Sequence, residues 1–292
     1  MRTIKFIATD MDGTLLNNSR QVSEGNVRAI KEAQKAGITV VIATGRDYTE
    51  AITPLKEAGL RLPLICVNGA DIREEDGTVI QQQSLSTGQF DVINNILKEE
   101  DIYFEITTSK GTYTNNEKRG LELVVDLLKT TGEFSSYEEA MALAEKRFEQ
   151  GAVFRTHDYH EMLRGDGTLL LKVLAFSTDR EKRERAEAKL ARELNISVSA
   201  SARDNLEITH QLATKGKGVE IMTRRFNLDV SEAMVVGDNF NDVSMMQIAG
   251  YAVAMENAEK EIKQLCDVTT ATNGDDGVAK AIRSVIAHQL QD

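Results

Sequence analysis

Two aspartates two residues apart, in Asp10-Met11-Asp12-Gly13-Thr14-Leu15, are the first residues whose types and spacing suit chemistry. They follow Ile4 to Ala8, which reads as a short buried strand, on a turn that Gly13 permits. One carboxylate so placed can act as a nucleophile and Mg²⁺ ligand while the other handles protons. The carboxyl edge of the strands in an open α/β sheet is where ligands bind, so the position suits the chemistry. The competing reading is an acidic turn with Gly-Thr capping. Average residue usage makes a chance match to this pattern rare, roughly one in several thousand for such a chain, and weighs against that reading.

Three later segments stand at comparable places. Thr44-Gly45-Arg46 leaves the run Ile38 to Ala43, and a hydroxyl with a backbone N–H at a helix start can clamp phosphate. Alone it is a weak signal, since Thr-Gly after a strand is common. Lys215 lies in Ala213-Thr214-Lys215-Gly216-Lys217-Gly218-Val219 ahead of a predicted helix, where an ammonium can balance a phosphate dianion and an aspartate. Lys217 competes with it by proximity. Gly237-Asp238-Asn239-Phe240-Asn241-Asp242 follows the apolar run Ala233 to Val236. Its hard oxygen ligands suit Mg²⁺, although Asn241 and Asp242 also read as an Asx turn capping the next helix.

In order and placement the four segments resemble the motifs of the haloacid dehalogenase superfamily, and their spacing resembles its Cof-type subfamily of sugar-phosphate phosphatases. The resemblance covers nearly the whole chain and rests on Asp10, Asp12, Thr44, Lys215, Asp238, Asn241 and Asp242. It implies an Mg²⁺-dependent phosphatase of small phosphorylated metabolites, sugar phosphates or related cofactor-precursor phosphates, working through an aspartyl-phosphate. Asp10 would be the nucleophile and Asp12 the general acid and base. Thr44, Gly45, Lys215 and Asn241 would bind the phosphoryl group. Mg²⁺ would be held by Asp10, the Asp12 backbone carbonyl and Asp238, with Asp242 in support. Asp12 matches the phosphatase and phosphomutase pattern, since the dehalogenases and transport ATPases of the superfamily lack it. Phe240 is a departure, at a position often polar or acidic in relatives. A phosphomutase shares all four motifs. A non-catalytic phosphometabolite-binding protein is the reading from another class, and the intact Asp10/Asp12 pair argues against it.

Behind these residues stand the elements that must position them. The first third alternates strands and helices: Ser23 caps a helix that Gly37 closes, Pro63 to Val67 is a third strand, and Pro54 is expected to kink or split the helix between. Such alternation predicts βαβ units and a parallel sheet. After a hairpin around Glu75-Asp76-Gly77 the grain changes. A helix carries Phe90, Ile93 and Leu97, a hairpin turns at Lys110-Gly111, and helices are predicted near 121–128, 137–148 and 180–194, with strands near 152–155 and 169–176. From about residue 204 the βα alternation returns. The expectation is an α/β fold: a Rossmann-like parallel-sheet core from 1–84 and 204–292, with an inserted α+β domain at 85–203. Only 33 residues lie between Asp10 and Thr44. By the resemblance that is too few for a cap there, and the long insertion before Lys215 would be the cap that sets specificity.

The whole chain frames these assignments. Its 292 residues suggest two domains, and 41% apolar with 28% charged residues is ordinary for a folded protein, which excludes a disordered or fibrous chain. A net charge of −11 disfavours nonspecific binding to nucleic acid or anionic membranes. The amino-terminal apolar run is broken by Lys5 and ends at Asp10, too short for a secretion signal, and no window suits a membrane span; a cytoplasmic location is expected. Cys66 and Cys266 form no disulfide framework and read as core residues. His157 and His160 lack a third ligand for zinc, Arg180 to Arg192 reads as a solvated helix face, and Met245-Met246 as core. The expected partner is a small phosphorylated metabolite; no feature specifies an oligomeric state.

Overall fold

The computed structural model describes residues 3–131, 138, 141, 142, 145, 153–165, 167–200 and 204–290. In chain order the strands are β1 Phe6–Thr9, β2 Thr39–Ala43, β3 Leu64–Cys66, β4 Asp71–Arg73, β5 Val79–Gln82, β6 Tyr103–Thr108, β7 Gly111–Thr114, β8 Phe154–Arg155, β9 Leu170–Phe176, β10 Ile196–Ser199, β11 Asn205–His210, β12 Ala233–Gly237, β13 Tyr251–Ala254 and β14 Val268–Thr269. The α-helices are α1 Glu24–Lys35, α2 Tyr48–Glu57, α3 Thr87–Glu99, α4 Glu117–Thr131, α5 Tyr159–Arg164, α6 Arg180–Leu190, α7 Lys215–Arg225, α8 Val243–Met246, α9 Lys260–Leu265 and α10 Gly277–Gln289. Two compact units result, Met1–Gln82 with Leu212–Asp292, and Gln83–Gln211.

The first unit is built on an eight-stranded sheet ordered β14-β13-β12-β1-β2-β3-β4-β5. The strands from β14 to β3 are parallel, while β4 and β5 pair antiparallel at one edge. The parallel core is thus extended by the hairpin that turns at Gly77, where φ is +90°. Strands β1 and β12 are buried along their whole length, which explains why Phe6-Ile7-Ala8 and Met234-Val235-Val236 are continuous apolar runs rather than alternating ones. Beneath β1 lie Val219 and Met222 of α7 and Met245 and Met246 of α8, in one cluster with Phe6, Ala8, Val41 and Val235. From β1 the chain builds β2 and β3 outward on one side; later it builds β12, β13 and β14 on the other. The strand order therefore reverses between β1 and β12, the kind of crevice in which α/β sheets bind ligands.

Local chemistry sets the helix ends. Ser23 Oγ accepts the Asn26 N–H at 3.1 Å at the start of α1, and Gly37 follows its end at φ +79°. Helix α2 differs from expectation. It runs unbroken from Tyr48 to Glu57 with Pro54 inside. Proline at 54 cannot donate to the Glu50 carbonyl, and that carbonyl instead accepts from Arg46 Nη1 at 3.4 Å.

The second unit is α+β. Its sheet is ordered β10-β11-β9-β6-β7-β8, antiparallel except where β8 joins β7. Phe90, Ile93 and Leu97 of α3 and Ala186 and Leu190 of α6 pack with Phe104, Ile106, Val173 and Ile208 on one face. Alternation sends Glu105, Lys172 and Glu207 to the other face, where Lys172 Nζ and Glu207 Oε1 form a buried pair at 3.2 Å. The chain returns to the first unit at 212 rather than 204, because Asn205–His210 pairs with β9 and β10. The helix expected at 137–148 falls mainly outside the described residues.

Candidate active site

Parallel pairing puts the ends of β1 and β12 side by side, since Thr9 aligns with Val236 and the Asp10 N–H donates to the Val236 carbonyl at 2.9 Å. Asp10 and Asp238 therefore leave adjacent strands on either side of the point where strand order reverses. After Asp10 the chain makes one wide helical turn over Met11–Leu15, closed by the Leu16 N–H on the Met11 carbonyl at 2.8 Å. Gly13 is required there twice. Its φ is +74°, and a Cβ would lie 2.4 Å from Asp238 Oδ2. The same turn fastens Asp238 through Thr14, whose Oγ1 donates to Asp238 Oδ1 at 2.7 Å.

Lys215 begins α7, behind Thr214, whose hydroxyl accepts the Lys217 N–H at 3.1 Å. Its side chain is wholly buried, and Nζ donates to Asp10 Oδ1 and to Asp242 Oδ1, both at 2.6 Å. Lys217, the other candidate, is half-exposed and pairs with Glu220 on its own helix at 2.8 Å. Asp242 is also fully buried; its Oδ2 accepts the N–H groups of Asp238 and Asn239 at 2.9 and 3.1 Å. One carboxylate thus shapes the 238–242 turn and anchors the lysine. Gly216 permits this arrangement, because a Cβ there would lie 2.2 Å from the Ser244 carbonyl oxygen, and its N–H donates to Ser244 Oγ at 3.0 Å.

Asp12 has a different environment. It is exposed and held in a fork by Arg46, with Nε to Oδ2 at 2.7 Å and Nη2 to Oδ1 at 2.6 Å. Thr44, buried at the end of β2, accepts the Arg46 N–H on its hydroxyl at 3.2 Å. Asn68, in the turn after β3, donates its N–H to the Thr44 carbonyl at 2.9 Å and accepts Asn241 Nδ2 on its side-chain oxygen at 3.2 Å. Phe240, at the top of the 238–242 turn, is 53% exposed.

Electrostatics sets the character of the cluster. Asp10, Asp238 and Asp242 each offer an oxygen within 4.8 Å of the others, with one ammonium among them. Burial pushes the Asp10 carboxyl well above the usual range; Lys215 opposes this, while Asp242 and Asp238 add to it. Burial works to lower Lys215, but the two carboxylates prevail and hold it charged, above its ordinary value. Asp238 is raised to about 6, chiefly by burial, against the hydrogen bond from Thr14. Three carboxylates facing one lysine are under-neutralised, and hard oxygens with excess negative charge suit a divalent cation such as Mg²⁺.

Of the residues singled out from sequence, Asp10, Lys215, Asp238 and Asp242 form one contiguous cluster, and Arg46 joins Asp12 to the Thr44-Gly45-Arg46 segment. The sequence alone assigns no individual role to Thr14, Arg46, Asn68 or Ser244. Thr14 and Arg46 sit inside motifs already recognised, and their types, a hydroxyl and a fork of donors beside carboxylates, were the available signal. Asn68 and Ser244 carry none, because their partners are 173 and 28 residues away in sequence.

A family model for haloacid dehalogenase-like hydrolases matches residues 7–282. The chain belongs to this family, and its relatives are of the Cof type. It is a phosphatase enzyme, in keeping with relatives that are named phosphatases. It is 30% identical over 97% of its length to the whole of phosphatase YwpJ of Bacillus subtilis. A second relative, 29% identical over 98% of this chain and 99% of its own, is the 5-amino-6-(5-phospho-D-ribitylamino)uracil phosphatase YwtE of the same organism. Among solved structures, a haloacid dehalogenase-like hydrolase from B. subtilis superposes with a TM-score of 0.84 at 29% identity, covering 96% of this chain and 99% of that one.

Proposed function

We propose that the protein hydrolyses phosphate monoesters of small metabolites, with Mg²⁺ as cofactor, through an aspartyl-phosphate on Asp10. The observation that carries this reading is the Asp10 carboxylate, 5% exposed, fastened at one oxygen by Lys215 and set beside Asp238 where strand order reverses. A buried carboxylate held by a buried lysine has a fixed direction, as a nucleophile attacking phosphorus in line requires. The carboxylates of Asp10 and Asp238 and the backbone carbonyl of Asp12 would hold Mg²⁺, which supplies charge neutralisation at the phosphoryl oxygens.

The chain's own groups would divide the remaining work. Asp10 bonds to phosphorus as the P–O bond to the leaving group breaks, and Asp12, which leaves the Arg46 fork and takes up a proton from solvent as the substrate binds, delivers that proton to the departing alkoxide. Asp12 then takes a proton from water as that water attacks the phosphoenzyme, which returns Asp10 to a carboxylate and releases phosphate. Lys215, Thr44, the Gly45 N–H and Asn241 bind the transferring phosphoryl group, and Asp242 keeps Lys215 in place. Arg46 parks Asp12 until a substrate engages it. The second unit acts as the cap that selects the leaving group. Sugar phosphates and phosphorylated cofactor precursors are the substrate classes favoured, the latter supported by the relative that acts on a ribityl-aminouracil phosphate. The location that goes with this reading is the cytoplasm. No helix among the described residues is long and apolar enough to cross a membrane.

Release of inorganic phosphate from p-nitrophenyl phosphate, and then from a panel of sugar, nucleotide and cofactor-precursor phosphates, tests the reading. Turnover should stop in EDTA and return with Mg²⁺. Full activity in chelator would remove the metal's role, and isomerised ester without free phosphate would point to a mutase.

A further inference from the structure

Directly after β3, three successive residues adopt left-handed backbone: Val67 at φ +51°, Asn68 at +54° and Gly69 at +101°. A β-branched residue is rarely found there, so the surroundings must impose the turn. Those surroundings are the candidate phosphate-binding segments. The Val67 N–H donates to the Arg46 carbonyl at 2.8 Å and the Asn68 N–H to the Thr44 carbonyl at 2.9 Å. Gly69 packs so closely on the residue before Lys215 that a Cβ would lie 2.3 Å from the Thr214 carbonyl oxygen. The Asn68 side chain, 4% exposed, reaches the third segment and accepts Asn241 Nδ2 at 3.2 Å.

That contact engages one end of the Asn241 amide. Its other end, Oδ1, is the only buried side-chain nitrogen or oxygen among the described residues that has no hydrogen-bond partner. A buried amide oxygen left in this way costs stability, so this orientation of the amide is not the one a filled site would keep. We infer that Asn68 is a positioning residue, which holds the Asn241 amide by one end and reserves the other for an oxygen of the transferring phosphoryl group. The inference rests on the phosphatase reading and names a residue that reading does not use. Phosphoryl oxygens only accept, so the bound state needs Asn241 to turn its nitrogen outward and its oxygen toward residue 68. An asparagine at 68 can accept from one orientation of that amide and donate to the other, and it tolerates the left-handed backbone. Aspartate in its place could only accept, and would keep the Asn241 oxygen facing the phosphoryl group. Glycine would keep the backbone and release the amide.

The test uses the full chain with Mg²⁺ and inorganic phosphate as the probe, its affinity measured by calorimetry beside kcat and KM for p-nitrophenyl phosphate. Asn68→Gly and Asn68→Asp should each weaken phosphate binding by about ten- to a hundredfold, the worth of one charge-assisted hydrogen bond, with Asp the worse of the two. In an Asn241→Ala background, Asn68→Gly should change phosphate affinity no further, a result that a general loss of structure would not give. Wild-type phosphate affinity in Asn68→Gly, or losses that simply add in the double variant, would overturn the inference while a turning-over wild type left the phosphatase reading intact. A wild type that neither binds phosphate nor releases it from p-nitrophenyl phosphate would overturn both. If the glycine variant does not fold, the nearly isosteric Asp variant decides by the same affinity; unfolding of both assigns the turn a structural role only and overturns the proposal.

Discussion

Asp10 and Asp12 are one methionine apart, yet one is buried against a lysine and the other lies exposed in an arginine fork. Side chains two residues apart point to different sides once the strand ends, and in the proposed mechanism that difference would separate a fixed nucleophile from a proton carrier. Asp10→Asn should form no phosphoenzyme at any pH. Asp12→Asn should lose about 10²–10⁴-fold in turnover of esters with poor leaving groups, the usual share of general acid–base catalysis. With p-nitrophenyl phosphate, whose leaving group needs little protonation, the Asp12→Asn enzyme should accumulate phosphoenzyme. Rapid quench with labelled substrate reads both; label trapped on the Asp10 variant and absent from the Asp12 variant would exchange their roles. Arg46→Ala, which frees Asp12 from its fork, should change kcat on poor leaving groups more than on p-nitrophenyl phosphate. Equal changes on both would count against a role through Asp12.

At the scale of elements, the site is a set of strand ends held by close backbone approaches. Gly13→Ala places a Cβ on Asp238 and strains a left-handed position, so it should destabilise the metal-free protein by about 1–3 kcal/mol and weaken Mg²⁺ binding as well. Thermal unfolding with and without Mg²⁺ would read both effects, and an unchanged Mg²⁺ affinity would show that Asp238 can move aside at no cost. This scale also shows what the sequence makes legible. The runs from Phe6 to Thr9 and from Ala233 to Gly237 declare buried parallel strands through their unbroken apolar character, and motifs at their ends follow from that. Pro54 misleads, because the loss of its helical hydrogen bond is made good by Arg46, a partner outside the helix. The Asn205–His210 run fits either unit by pattern, and only its pairing with β9 and β10 decides. Lys215 and Lys217 are equivalent by spacing; what separates them is burial against Asp10 and Asp242, which needs residues brought together from three distant segments.

For the molecule as a whole, the acidic cluster with its proposed Mg²⁺ would tie stability to both protons and metal. Moving the Asp238 carboxyl from its ordinary 3.8 to about 6 corresponds to about 3 kcal/mol. The sign follows from where the protons sit. Between those two values the metal-free folded protein keeps a proton that the unfolded chain has released, so this contribution is present at low pH and is lost as pH rises through 6. A cation competes with that proton. The rise in Tm on adding Mg²⁺ should therefore be larger at pH 7.5 than at pH 5, about 5 °C at a hundredfold excess over Kd at the higher pH. Equal rises at the two pH values would show that the cluster carries no such proton.

The reversal of strand order between β1 and β12 also has a consequence in time. A ribosome makes β1 and its aspartates more than two hundred residues ahead of β12, the strand set beside them. At about 5–20 residues per second, that interval is roughly ten to forty-five seconds. Throughout it β1 has β2 on one side and a bare, apolar edge on the other, the kind of edge that invites pairing with another chain. The nascent protein carries Asp10 through that interval before Lys215 and Asp238 are both in place beside it. The proposed chemistry would therefore begin only once β12 pairs with β1, and until then the edge of β1 would need shielding from other strands.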